Sequence, residues 1–115
     1  MAAIAPIEIF RGDTWIRSWT IMVNELPADF TGASARLQIR KNAKDPEVLL
    51  EASTDGDGLT FVGLPTEGKI SLKLQTQPLE AGKYSFDLEV TFADGVIQTY
   101  EQNVLVLKQD VTRTA

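Results

Sequence analysis

The stretch from Lys83 to Tyr100 constrains the fold more than any other part of the chain. Tyr84, Phe86, Leu88, Val90 and Phe92 alternate with Ser85, Asp87, Glu89 and Thr91. A period of two sets one face of an extended strand against a core and the other in water. Asp94-Gly95 is expected to supply the two positive-φ residues of a type I′ turn, and an apolar strand returns from Val96. A chain organised around such a hairpin is built on antiparallel sheet.

The rest of the sequence repeats this theme in shorter units. Pro6 to Phe10 reads as a first strand, with Ile7 and Ile9 on one face. Thr14 to Met22 is rich in aromatic and β-branched residues. Its faces are mixed: Trp15, Trp19 and Ile21 lie with Arg17, and Ile16 and Met22 lie with Ser18 and Thr20. That mixture predicts either two covered faces or a bulge. Asn24 to Gly32 reads as a connection. Ala35, Leu37 and Ile39 point inward from the next strand, and Val48, Leu50 and Ala52 from the one after. Leu59 and Phe61 form a short strand, and Ile70, Leu72 and Leu74 mark another. Gln77 to Ala81 has room for one helical turn, closed by Gly82. The last strand runs from Val96 to about Lys108; Val104 to Leu107 is apolar on both faces, which suits a central position. Seven to eight short strands, with turn residues roughly every ten positions, predict an all-β fold: a single antiparallel β-sandwich of the immunoglobulin-like kind.

With 115 residues, one domain spanning 1–115 is expected, with short flexible ends at about 1–5 and 110–115. Folding at this size buries roughly 65% of the chain's surface, enough for one core without staples. There is no cysteine and no histidine. Disulfides, thiolate metal sites and Ser-His-Asp or Cys-His catalysis are therefore excluded. The lack of cysteine fits synthesis in a reducing cytoplasm. A net charge of −5 disfavours nonspecific nucleic-acid binding, which needs Lys and Arg to neutralise phosphate. Arg36, Arg40, Lys41 and Lys44 are the densest basic group and read as a solvated strand end. Met1 to Pro6 lacks the basic start and apolar core of a signal peptide. No apolar run approaches the roughly 18 residues of a membrane-spanning helix.

Four groups invite a chemical reading. Arg11-Gly12-Asp13 matches a tripeptide used by integrin ligands, but a tight turn with Gly12 at positive φ accounts for it. Asp55-Gly56-Asp57-Gly58 resembles the opening of a calcium loop, yet Leu59, Thr60 and Thr66 stand where an EF-hand needs ligands and glycine. Trp15, Trp19, Tyr84 and Tyr100 are candidates for a sugar-stacking platform, against the ordinary role of large aromatics in a core. Asp87 and Glu89 share one strand face, outward from the core, where carboxylates are usually solvated. These residues predict no catalytic site, no metal and no cofactor.

Several phrases occur together and in order: Phe10-Arg11-Gly12-Asp13-Thr14-Trp15, then Asp29-Phe30-Thr31-Gly32-Ala33 leading into Arg36-Leu37-Gln38-Ile39-Arg40. Gly68-Lys69-Ile70-Ser71-Leu72 and Leu79-Glu80-Ala81-Gly82-Lys83-Tyr84-Ser85-Phe86-Asp87-Leu88 follow, ahead of Asp94-Gly95. Together they resemble the N-terminal β-sandwich domain of siphophage baseplate upper proteins and related short phage tail proteins. The resemblance implies a structural, non-enzymatic part of a bacteriophage virion. Such a part is made in the host cytoplasm and acts by docking onto other phage structural proteins and by self-association, with no nucleic acid or membrane as partner. It carries over no catalytic residue. A carbohydrate-binding or adhesion module on the same sandwich is the alternative expectation.

Overall fold

A computed structural model describes residues 6–109. The flexible ends expected at about 1–5 and 110–115 lie outside the described residues. Eight strands of three or more residues and two of two residues are present: β1 (Ile7–Phe10), β2 (Thr14–Thr20), β3 (Met22–Val23), β4 (Leu26–Pro27), β5 (Ser34–Arg40), β6 (Leu50–Ser53), β7 (Leu59–Phe61), β8 (Lys69–Gln75), β9 (Gly82–Thr91) and β10 (Ile97–Lys108). One sheet has the order β1-β10-β9-β5-β6, a second the order β2-β8-β7, and β3 and β4 form a small hairpin of their own.

Alternation places the core between the two larger sheets. Tyr84, Phe86, Leu88 and Val90 of β9 are buried, as are Ala35, Leu37 and Ile39 of β5 and Leu105 and Leu107 of β10. They are in register across the sheet: Leu37 lies opposite Leu88, Ile39 opposite Phe86, and Leu105 opposite Tyr84. The second sheet answers with Trp15, Leu59, Ile70 and Leu72. Trp15 meets Phe86 edge-on, ring centroids 5.0 Å apart, the arrangement that aromatic quadrupoles prefer.

The strand order is that of an immunoglobulin-like sandwich. In that scheme β2, β8 and β7 form one layer and β6, β5, β9 and β10 the other. Tyr84 sits near the start of β9 and donates its hydroxyl to the Glu80 carbonyl at 2.7 Å, the tyrosine corner of such folds. Two residues on, Phe86 holds the position where antibody domains place half of their inter-sheet disulfide. Here the contact with Trp15 fills that space. One pair departs from the antiparallel rule: β1 runs parallel to β10, Ile7 opposite Leu105 and Ile9 opposite Leu107. With β1 on one side and β9 on the other, Val104 to Leu107 is central, as the two-faced apolar run predicts.

Local details correct four expectations. The β9–β10 turn is not type I′. Gly95 has φ 89°, but Asp94 is not in the left-handed region. The loop is Ala93-Asp94-Gly95, closed by Gly95 N–H donating to Phe92 O at 2.9 Å and Phe92 N–H to Val96 O at 2.8 Å. This is the three-residue hairpin in which a type I turn is followed by a left-handed glycine. The two-residue loop with both φ positive joins β3 and β4 instead: Asn24 (φ 51°) and Glu25 (φ 68°), in a stretch that reads as plain connection. The bulge lies between Thr99 and Glu101 of β10, whereas β2 pairs with β8 without interruption. Gln77 to Ala81 forms a turn closed by Leu79 N–H to Thr76 O and no helix; the one short 3-10 turn among the described residues is Pro65–Glu67.

Candidate functional site

One end of the sandwich carries an apolar groove. β10 runs for 12 residues and β9 for 10, whereas β2 and β8 have 7 each. The turn of the β9–β10 hairpin, residues 92–96, projects as a short overhang past the last β5 pairing, Ser34 with Thr91. Opposite the overhang stands the β3–β4 hairpin. Its base is tied by Ala28 N–H to Ile21 O (2.8 Å) and Phe30 N–H to Pro65 O (2.9 Å). Gly68 lets these chains approach: its φ is 69°, and a Cβ there would lie 2.5 Å from the Ile21 carbonyl oxygen.

Between the overhang and the hairpin lies a groove lined by Met22, Val23, Leu26, Pro27, Ala28, Asp29, Phe92, Val96, Gln98 and Tyr100. Beneath it, Phe30 stacks on Phe61 at 4.9 Å, Phe92 lies 6.0 Å from Phe30, and Tyr100 meets Phe92 edge-on at 6.5 Å. The β10 bulge sets Tyr100 into this row, because it breaks the parity that would otherwise turn position 100 away from the core. Burial pushes the Tyr100 hydroxyl above its ordinary pKa. The rim is apolar but wet: Leu26 is 68% exposed and Ile97, beside the groove, 57%. Single exposed leucines are ordinary; Met22, Val23, Leu26 and Val96 together make a patch, which is not. The side chains here offer apolar surface and a few polar atoms for orientation, with no nucleophile–base pair.

Next to the bulge, Glu101 keeps the parity of Leu105 and lies opposite buried Leu88, so it faces the second sheet. Arg17 of β2 grips its carboxylate with Nε at 3.0 Å and Nη2 at 2.7 Å, and the Trp19 indole N–H donates at 2.9 Å. This bidentate pair links the two sheets at the seam where β2 and the early part of β10 have no shared hydrogen-bond ladder.

The groups singled out from sequence are not brought together. Arg11 donates to the carbonyls of Leu79 (2.7 Å) and Gln77 (3.4 Å), and Gly12 has φ 91°, so the tripeptide forms a turn bound to the neighbouring loop. The Asp55 to Gly58 loop closes on itself through Gly56 N–H to Ser53 Oγ (2.8 Å) and Ser53 N–H to Asp57 O (2.9 Å). Among the described residues, no three His, Cys, Asp or Glu side chains are grouped to hold a metal. Trp15 and Tyr84 are buried, Trp19 is bound to Glu101 and Tyr100 lies in the groove, so the four aromatics form no common platform. Asp87 and Glu89 face outward as the alternation predicts. Partial burial, then the charge of Glu89, raise the pKa of Asp87, against the two arginines Arg40 and Arg36. That raised environment was not visible from the strand pattern, because its largest cause is the partial burial that comes only with sheet packing. Glu89 is paired with Arg36 at 3.0 Å.

Sequence reasoning missed the groove. Its signal was an unexplained cluster, Met22, Val23, Leu26 and Pro27, where the Thr14 to Met22 strand passes into the Asn24 to Gly32 connection.

The structure defines an all-β, two-layer sandwich of immunoglobulin-like topology with an apolar end. No family model and no curated protein matches the sequence. Among solved structures, the chain is similar to CopC from Methylosinus trichosporium OB3b, with TM-score 0.51 and 13% identity over 92% of this chain and 86% of that one. It also aligns with murine CRIg, with TM-score 0.41 and 13% identity over 90% of this chain and 91% of that one. At such identity the likeness to CopC shows the fold alone.

Proposed function

We propose that this protein is a non-catalytic structural component of a bacteriophage tail or baseplate. It is made in the host cytoplasm and enters the virion by docking onto neighbouring structural proteins and by self-association. The ordered phrases from Phe10 to Gly95 support this reading. The observation that carries the docking role is the apolar end of the sandwich. A folded domain that buries Leu37, Ile39 and Leu88 completely leaves Met22, Val23, Leu26 and Val96 in water around one groove. Exposed apolar patches of this kind mark contact surfaces.

The carbohydrate-binding alternative draws less support, since two of its four aromatics are core. Mass spectrometry of purified virions, with a glycan array on the isolated protein, separates the two. The expected result is stoichiometric presence in the particle and no sugar-specific signal. Absence from virions, together with sugar binding that is lost in Trp19→Ala or Tyr100→Ala, would replace the structural reading by the carbohydrate one.

A further inference from the structure

Resting on the docking role proposed above, we infer that the groove between the β3–β4 hairpin and the β9–β10 overhang receives a basic, apolar segment of a different protein. Three carboxylates stand on or beside the groove, and no Lys or Arg lines it. Asp29 is in the lining; its Oδ1 accepts from Thr31 N–H at 3.0 Å and Thr31 Oγ1 at 2.6 Å. Those bonds lower its pKa, so the charge is held firmly. Asp94 sits in the overhanging turn, its Oδ1 accepting from the N–H of Val96, itself a lining residue, at 3.0 Å. Glu25 crowns the hairpin between Val23 and Leu26, held out at φ 68°. The ion pairs formed among the described residues use Glu101, Glu89 and Glu8 and leave these three carboxylates unneutralised.

This charge pattern chooses the occupant. A second copy of the chain meeting through the same end would be related by a two-fold axis, which sets each patch against itself. The carboxylates Glu25, Asp29 and Asp94 would then meet the other copy's acidic set across a partly desolvated gap, and like charges so placed cost several kcal/mol. A segment with bulky apolar side chains and flanking Lys or Arg meets apolar with apolar and cation with anion. Self-association of the protein therefore uses another face. The backbone supports a receiving role as well. Left-handed Glu25 stores strain of the sort that collects at binding surfaces, and the β10 bulge that positions Tyr100 is a device common beside such sites.

The test uses the full chain labelled with ¹⁵N and two synthetic peptides that share one leucine- and phenylalanine-bearing sequence, flanked by lysines in one and by glutamates in the other. The lysine-flanked peptide is expected to move the amide signals of Val23, Leu26, Val96 and Gln98 and to bind at least about tenfold more tightly, the ratio that roughly 1.4 kcal/mol supplies. Glu25→Gln, Asp29→Asn and Asp94→Asn combined should bring the two peptides to near-equal affinity, and Leu26→Ser should weaken both. If the triple variant fails to fold, 1 M salt on the natural protein, where the screening length is about 3 Å, should remove the preference. Equal binding of both peptides, no shift with either, or shifts elsewhere overturns the inference. So does sedimentation that shows a dimer whose formation perturbs these same amides, since the second copy is then the occupant. A protein found in virions that shows no peptide preference fails this inference and keeps the tail assignment; a clear preference in a protein absent from virions does the reverse.

Discussion

At one end of the sandwich Trp15, Phe86 and Tyr84 fill the space between the sheets, and the neighbouring loops are fastened to one another. Arg11 holds the carbonyl of Leu79, Thr76 Oγ1 donates to Asp13 O at 2.9 Å, and Lys41 lies over the Tyr84 ring at 4.8 Å while donating to Lys83 O. At the other end Met22, Leu26 and Ile97 stand in water over a row of stacked aromatics, and a two-residue turn carries a glutamate in a conformation that costs it energy. The same alternating strands run through both ends. The difference lies in what the loops do: both sets hydrogen-bond their backbone, but at the open end they leave Met22, Val23, Leu26 and Val96 uncovered. Selection for stability alone has no reason to leave that contrast in place, which is why the open end is read as a contact surface.

The largest expected effect tests the contrast directly. Phe86→Ala at the closed end should destabilise by about 3–5 kcal/mol, because it removes the partner of Trp15 and leaves a cavity. Leu26→Ser at the open end should stay within about 0.5 kcal/mol, as ordinary surface changes do. Urea denaturation of the two variants measures both, and comparable losses would break the distinction. Next in size is the seam between the ends. Arg17→Met strands the Glu101 carboxylate, whose side chain is 17% exposed, with only Trp19 as donor. A loss of about 1–3 kcal/mol is expected from an ionised, poorly solvated group, and Arg17→Met with Glu101→Gln together should recover part of it.

The two turns of the open end should respond with opposite signs. Gly95→Val places a β-branched residue at φ 89°, where its Cβ meets nothing within 4 Å. The cost of about 1–2 kcal/mol is then purely conformational. Glu25→Gly relieves strain and should stabilise by about 1 kcal/mol in thermal melts. The smallest effect concerns pH. Asp87 has its pKa raised in the fold, so its ionised form disfavours the native state. Below the ordinary carboxylate pKa both states are protonated and the penalty vanishes; as pH rises through that range and past the raised value, it develops in full. Asp87→Asn should therefore be slightly more stable than the parent at neutral pH, by less than about 0.5 kcal/mol after solvent screening, and equal to it near pH 3. An advantage that grows towards acid would reverse the assigned sign.

The core of the fold was legible because β9 and β5 obey a strict period of two, and Tyr84, Phe86, Leu88, Val90, Ala35, Leu37 and Ile39 are all buried as that period requires. The open end was not. Two-residue strands such as β3 and β4 are too short to show a period, and a left-handed Asn-Glu turn lacks the glycine that announces one. The groove depends on two hairpins some seventy positions apart in sequence coming to face each other. The bulge left one trace, a parity change between Tyr100 and Leu105, yet that the neighbouring Glu101 meets Arg17 is decided by β2, some eighty positions earlier.

The parallel pairing of β1 with β10 carries a consequence for how the chain reaches this state. The partners Ile7 and Leu105 come from opposite extremes of the sequence, so their ladder closes nearly the longest loop the molecule allows. Pairings of such high contact order are slow, and sandwiches dominated by them fold in milliseconds to seconds. Until β1 arrives, the Val104 to Leu107 segment of β10 presents an unpaired edge of four apolar, β-prone residues with no charge among them, the composition that templates aggregation. The short first strand thus acts as a late-closing cover on an adhesive strand edge, and variants that weaken it are expected to be lost to misassembly.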